Sequence, residues 1–301
     1  MSAAGISRLP VSVHHAYWLR RLAYLGARYG SDGFLKHGSS AFGAAFAQFL
    51  PGHRQIVRDN LRRIHGTKST WLEHREVTET FVNYARCLTE ALGIERRQPG
   101  DIQYEVSGQE TLDLLLKRPA GFIVATAHVG AWDCAALHLQ QSTSRPVIVV
   151  MERESNAAAR AFQDSIRQRV GVEVIHVGDD AFEGLRLLKH LRRGGIVAVQ
   201  LDRRPKGGRT VNATLFGKAF QAPLGPFQLA SLASVPILPV FCARIGFYRY
   251  QIRVTTQISL IRRASGPELQ AAAQEAISSL EDFLRIYPTQ WFHFEHTDNP
   301  P

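Results

Sequence analysis

The chain has 301 residues, 45% of them apolar, and a formal net charge of +10 at pH 7. That apolar share supplies a sizeable core and excludes a disordered chain, while the length admits one large α/β domain or two small ones. Arginine carries most of the charge, since lysine occurs only six times, and an arginine excess predicts an anionic partner: phosphate, acidic lipid headgroups or nucleic acid.

No apolar run approaches the roughly 18 residues a spanning helix needs, and Met1 to Pro10 lacks the apolar centre of a signal peptide. Residues 14 to 65 read as helical. Within them Tyr17, Trp18, Leu22, Leu25 and Tyr29 alternate with Arg20, Arg21 and Arg28, and Phe34, Phe42, Phe46, Phe49 and Leu50 follow. A basic aromatic helix of this kind either lies in a membrane interface with its arginines at anionic headgroups or packs its stripe on the core. Arg54, Arg58, Arg62, Arg63 and His65 close the stretch. A second helix is expected from Thr70, with Glu73 completing a capping-box pattern, through Val77, Phe81, Tyr84 and Leu88. The three cysteines, Cys87, Cys134 and Cys242, are odd in number and apolar in surroundings, which fits a reduced interior better than a disulfide framework.

From about Gly121 the pattern alternates between strands and helices. Apolar runs at 121–127, 146–151, 172–177, 195–201 and 236–242 read as buried strands. A helix near 155–170 stops at Gly171, and another near Asp180 stops at Gly194. The alternation predicts an α/β fold with a mainly parallel sheet flanked by helices and joined by right-handed crossovers. Ser265 and Glu268 form a further capping box, opening a helix that turns Leu269, Ala273, Ile277, Leu280 and Leu284 to the core. With no repeat and no long linker, one structural domain is expected. Residues 1–100 form its helical N-terminal extension at a membrane interface, and 101–301 its α/β core.

The chemistry concentrates in His128-Val129-Gly130-Ala131-Trp132-Asp133. His128 follows the strand at 121–127, so it sits at the sheet's carboxyl edge, where open α/β sheets place their ligand crevices. Asp133 falls in the first turn of a helix begun by Trp132, Ala135, Ala136 and Leu139, where the helix dipole keeps a carboxylate ionised. The pair is spaced for an acid to hold one imidazole nitrogen while the other takes a proton, although a surface histidine beside a helix-start acid has the same spacing. There is no G-x-S-x-G elbow, P-loop, G-x-G-x-x-G or C-x-x-C. His293 and His296 are three apart but lack a third ligand, so aromatic packing of the C-terminus is expected rather than a metal.

Three later blocks extend the pattern: Gln200-Leu201-Asp202-Arg203-Arg204-Pro205-Lys206-Gly207-Gly208, then Leu215-Phe216-Gly217, then Ala222-Pro223-Leu224-Gly225-Pro226 with Leu229-Ala230. In this order they resemble the bacterial lipid A biosynthesis acyltransferase family, with its lauroyl and myristoyl transferases and the related phosphatidylinositol mannoside acyltransferases. The likeness spans roughly residues 15 to 295. It includes Val57, Asn60 and Leu61 of an R-x-x-V-x-x-N-L element and the closing Gln290-Trp291-Phe292. Leu215 replaces an aromatic, Asp202-Arg203-Arg204 lacks a second acid, His293 and Glu295 stand in a tail that is usually more aromatic and basic, and the longer hydrophobic N-terminal helix of many relatives is missing.

The resemblance implies a glycerolipid acyltransferase-like fold and transfer of a fatty acyl chain from a thioester, acyl-ACP or acyl-CoA, to a hydroxyl of a glycolipid. No bound cofactor is implied. His128 would be the general base and Asp133 its orienting acid, with backbone amides at the opening of the helix, near Gly130, holding the oxyanion. Glu152, Arg153, Arg167, Asp202, Arg203 and Lys206 would bind substrate, Asp202 by orienting an arginine. Arg167 also reads as a solvated helix face, and Arg203 to Lys206 as a basic turn. The implied partners are a lipid acceptor, the carrier thioester and an anionic membrane surface at the cytoplasmic face of the bacterial inner membrane, with the chain peripheral or monotopic and no nucleic acid bound. The rival readings are a glycerophospholipid acyltransferase and a non-catalytic basic protein binding membrane or nucleic acid.

Overall fold

The computed structural model describes residues 21, 23–152, 157–169, 171–177, 181–205 and 207–295. Its first part is helical. After a helical stretch over 23–29, Ser31 caps α1 (Asp32–Phe49) by accepting from the Phe34 amide at 3.3 Å, and Pro51 opens α2 (Pro51–His65). The region expected to be helical is therefore broken at Gly30-Ser31 and at Leu50, where a cap and a proline restart it. The third helix, α3 (Thr70–Gly93), begins where expected, but Ser69 is its N-cap. The Glu73 carboxylate is engaged by Arg62, at 2.7 and 2.8 Å, rather than by a capping box.

A seven-stranded sheet follows, assembled in the order β1 (Gln103–Ser107), β9 (Arg249–Val254), β8 (Ile237–Gly246), β2 (Phe122–Thr126), β5 (Ile196–Gln200), β3 (Val147–Glu152), β4 (Glu173–Val177). All neighbours are parallel except β8 and β9, which form an antiparallel hairpin. All five apolar runs are strands of this sheet. Strands β1 and β9 were not expected: Gln103-Tyr104-Glu105-Val106-Ser107 and Arg249-Tyr250-Gln251-Ile252-Arg253 alternate polar and apolar residues instead of forming apolar runs, so only one face of each carries apolar side chains.

Two core layers result from the period-two alternation of side chains. Ile123, Ala125, Val197, Val199, Ile237 and Phe241 face α7 (Ala181–Arg192), α8 (Gly225–Ala233) and α9 (Gly266–Ile286). Phe122, Val124, Ile196, Ala198, Leu238 and Cys242 face α4 (Gln109–Leu116) and α5 (Trp132–Ser142). The capping box of Ser265 and Glu268 opens α9 as expected, with Ser265 N–H and Oγ each donating to the carboxylate at 2.7 Å. The remaining helix, α6 (Ala157–Arg169), leads to Gly171, whose φ of +80° is the left-handed conformation that glycine tolerates best.

A separate hairpin, β6 (Thr210–Leu215) and β7 (Lys218–Pro223), packs on α9. Phe216 and Gly217 turn it with φ of +51° and +71°, the two-residue turn that matches strand twist. The three cysteines are buried and free, with burial as the first cause of their raised thiol pKa values. No helix among the described residues is long and apolar enough to cross a membrane.

Candidate active site

Strands β2 and β5 are parallel neighbours in the register Thr126↔Gln200. Two residues beyond each, the chain carries His128 and Asp202, so the sheet itself brings them together. His128 Nδ1 lies 2.8 Å from Asp202 Oδ1, and the same oxygen accepts the His128 backbone N–H at 3.0 Å. Burial raises the carboxyl's pKa, but the charge and hydrogen bond of His128, then His293 and Arg203, outweigh that and hold it well below the usual carboxylate range. An ionised carboxylate only accepts, so the proton sits on Nδ1 and Nε2 is left as the basic nitrogen.

Asp133 does not perform the role expected of it. Its Oδ1 accepts from Arg167 Nε at 3.2 Å, and the Arg167 guanidinium also stacks 5.6 Å from the Trp132 ring. The Asp133 side chain is 31% exposed, that of Asp202 fully buried. The physical reason is the geometry of a helix start: five residues along the chain from His128, Asp133 lies in the first turn of α5, whereas Asp202 is placed by strand pairing.

Gly130 is corrected as well. Its amide donates to Gln290 O at 2.8 Å, the next amide, Ala131, donates to Cys242 O at 3.2 Å, and Val129 N–H is bonded to Ala127 O. None of these is available to an oxyanion. Glycine is required there for a different reason: φ is +47°, and a Cβ would stand 2.1 Å from Cys242 O.

The segment after α9 closes the site. Phe292 N–H donates to His128 O at 2.8 Å, and Val129 pairs with Trp291 in an isolated bridge. The Trp291 indole donates to Asp202 Oδ2 at 3.0 Å. His293 is buried beside them, 3.8 Å from the same oxygen and stacked on Trp291, with its main-chain oxygen held by Asn60 Nδ2 at 2.7 Å. Burial lowers the His293 imidazole to about 4, against the pull of Asp202 and with help from Arg203, His128 and Arg63. The sequence assigns His293 no part beside Asp202, and His296 lies outside the described residues. The Q-W-F block marked Trp291 by resemblance without assigning it a task.

The sequence model of the bacterial lipid A biosynthesis acyltransferase family matches residues 11–297. The chain belongs to that family. It is 25% identical over 252 residues to a phosphatidylinositol mannoside acyltransferase of Mycolicibacterium smegmatis (strain ATCC 700084 / mc(2)155), covering 83% of this chain and 80% of the relative. A crystal structure of the 1-acyl-sn-glycerophosphate acyltransferase PlsC from Thermotoga maritima resembles it with a TM-score of 0.39 and 13% identity, over 90% of this chain and 99% of that one. The protein is thus an O-acyltransferase acting on lipid substrates, and the reading as a non-catalytic basic protein falls away.

Next to the histidine's neighbour Trp132 the acyltransferase has an apolar cavity. Thr126 and Gln200, at the carboxyl ends of β2 and β5, and Trp132 line it beside the site, with Trp132 and His128 ring centroids 6.2 Å apart. Ala135, Ala136, Leu139 and Ser142 then line it along the length of α5, which at 1.5 Å per residue is roughly 15 Å. Asp133 and Arg167 instead line a second cavity between α3 and α5. Arg203 donates to Phe292 O at 3.2 Å and comes within 4.0 Å of Glu295, so it braces the closing segment. Glu152 is the last residue of β3, exposed at the same sheet edge. Arg153 and Lys206 lie outside the described residues.

Proposed function

We propose that the protein moves a fatty acyl chain from an acyl thioester, carried by acyl carrier protein or coenzyme A, to a hydroxyl of a glycolipid, with His128 as general base. The observation that carries this reading is the pairing of His128 with the buried Asp202, beside the apolar cavity that Trp132 lines. His128 Nε2 takes the acceptor's hydroxyl proton as its oxygen attacks the thioester carbonyl carbon. The tetrahedral oxyanion collapses, the C–S bond breaks, and the carrier's sulfur takes the proton from the imidazolium. Asp202 keeps the imidazole in the Nδ1–H tautomer and balances the cation formed on the way. With Gly130 and Ala131 engaged elsewhere, the oxyanion falls to the first-turn amides of α5, Trp132 and Asp133, which have no intrahelical acceptor and stand at the positive end of the helix dipole. No metal and no resident cofactor enter this scheme.

The acceptor is assigned to glycolipids because the matched family and the mycobacterial relative are both named for glycolipid substrates. Membrane access comes from the N-terminal helices, where Tyr29, Phe34, Phe42, Phe49 and Trp71 are all more than half exposed. Arg75 lies against Trp71, and the chain as a whole carries +10. Exposed aromatics mixed with arginines suit peripheral attachment to an anionic surface, here the cytoplasmic face of the inner membrane. The test is thioester consumption with glycolipid acceptors, wild type against His128→Ala. Activity in the wild type and its loss in the variant support the reading; a fully active variant overturns it.

A further inference from the structure

Asp202 is held at both oxygens, and the donor to the second oxygen is neither a charge nor a backbone amide. Oδ1 serves His128, through Nδ1 at 2.8 Å and the backbone N–H at 3.0 Å, while Oδ2 takes the Trp291 indole N–H at 3.0 Å. That indole is 3% exposed, and its place is over-determined. Gln290 O accepts the Gly130 amide and Phe292 N–H donates to His128 O, each at 2.8 Å, so the tryptophan is flanked on both sides by bonds to the histidine's own loop. Gln290 is fixed in turn by the Arg244 backbone, accepting from its N–H at 2.8 Å and donating to its carbonyl at 3.0 Å. The ring face is covered by His293, with centroids 5.0 Å apart and planes 21° from parallel. A buried indole N–H needs an acceptor, and any main-chain carbonyl would satisfy it. Here the acceptor is the carboxylate that holds the proposed base.

We infer that Trp291 is a positioning residue for acyl transfer: its N–H fixes the rotation of the Asp202 carboxylate and draws negative charge toward Oδ2, which sets how strongly Oδ1 holds the imidazole of His128. The inference rests on the reading of His128 as the base. The other groups facing Asp202 are His293, Arg203 and His128 itself, and Trp291 is the side-chain donor among them that carries no charge at any pH. Because it is neutral, removing it leaves the site's formal charge unchanged and alters only the carboxylate's basicity and orientation. Without the indole N–H, more negative charge remains on Oδ1, the imidazolium is stabilised, and the enzyme must reach a higher pH before its base is free. Asp202→Asn acts in the opposite direction, by removing the charge altogether.

The test uses the full chain with Trp291→Phe, Asp202→Asn, the double variant and His128→Ala. In kcat/KM against pH, whose acidic limb reports the free enzyme's base, Trp291→Phe should move that limb to higher pH and Asp202→Asn to lower pH. Trp291→Phe should cost about tenfold in kcat/KM in the wild-type background and little in the Asp202→Asn background, because interacting residues are not additive. The protein contains four tryptophans, and the indole 1H–15N signal of Trp291 should shift in Asp202→Asn while staying in place in Asp133→Asn. Should Trp291→Phe fail to fold, that signal is assigned by elimination, from Phe replacements of Trp18, Trp71 and Trp132, and the indole arm stands alone. An unmoved limb, an equal cost in both backgrounds, or an indole signal indifferent to Asp202→Asn overturns the positioning role. If His128→Ala keeps wild-type activity, the base assignment has failed and the Trp291 role fails with it. If His128→Ala is inactive and the limb stays put, the Trp291 role alone is wrong.

Discussion

Two aspartates flank the proposed base, and their surroundings differ in every respect that matters. Asp202 is fully buried, accepts from His128 and Trp291, and is held ionised chiefly by the imidazole against the cost of burial. Asp133 is about a third exposed and pairs with Arg167, which stacks on Trp132. The difference teaches that closeness along the chain is a weaker guide to a catalytic pair than register across a parallel sheet. His128 and Asp202 are 74 residues apart but one strand apart, each two positions beyond the pair Thr126↔Gln200.

The largest expected effect sharpens the contrast directly. His128→Ala and Asp202→Asn should each lower kcat by about a hundredfold to ten-thousandfold, the range a positioned base supplies. Because the two act as one unit, the double variant should be no slower than His128→Ala alone. Additive losses in a thioester-release assay would break the pairing.

Next comes the other aspartate. Asp133→Asn and Arg167→Ala should each cost about tenfold or less, of the size expected when a partly buried pair that shapes the neighbouring cavity is lost rather than the base itself. The effect should appear mainly in KM, and combining the two substitutions should add little. A loss in Asp133→Asn as deep as in Asp202→Asn would reverse the comparison.

The smallest effect concerns stability rather than rate. His293 is neutral and buried at about 4, against about 6.5 in an unfolded chain. A depressed value contributes stability that is fully present above about pH 6.5 and is lost as pH falls through about 4. The term is worth at most about 3 kcal/mol. His293→Phe, which keeps the main-chain bond to Asn60, should therefore show a flatter fall in urea midpoint between pH 7 and pH 4 than the wild type. Parallel curves would show that His293 is not the titrating group.

Much of this was legible in the chain. Five of the seven strands announce themselves as apolar runs, and the start of α9 as Ser265 and Glu268, because burial and helix capping each leave a local signature. What failed was whatever depends on strand order. Nothing in the runs at 121–127 and 195–201 says that they are neighbours, so Asp202 was assigned to an arginine and the nearer Asp133 to the histidine. Of the amides expected at the helix opening, Gly130's own is lost to the oxyanion for a related reason, since the acceptors that occupy its loop, Gln290 O and Cys242 O, come from distant segments. Strands β1 and β9 were missed because each alternates polar and apolar residues, which leaves no continuous apolar run to read. The Gln290-Trp291-Phe292 block was visible, but only the folded chain shows which carboxylate its indole reaches.

The most direct measurement is 15N NMR of the His128 imidazole in wild type, Asp202→Asn and Asp133→Asn at a pH where the ring is neutral. The account predicts an Nδ1-protonated ring with a low-field Nδ1–H signal in the wild type, retained in Asp133→Asn and lost or shifted upfield in Asp202→Asn. A signal that survives Asp202→Asn and disappears in Asp133→Asn would contradict it.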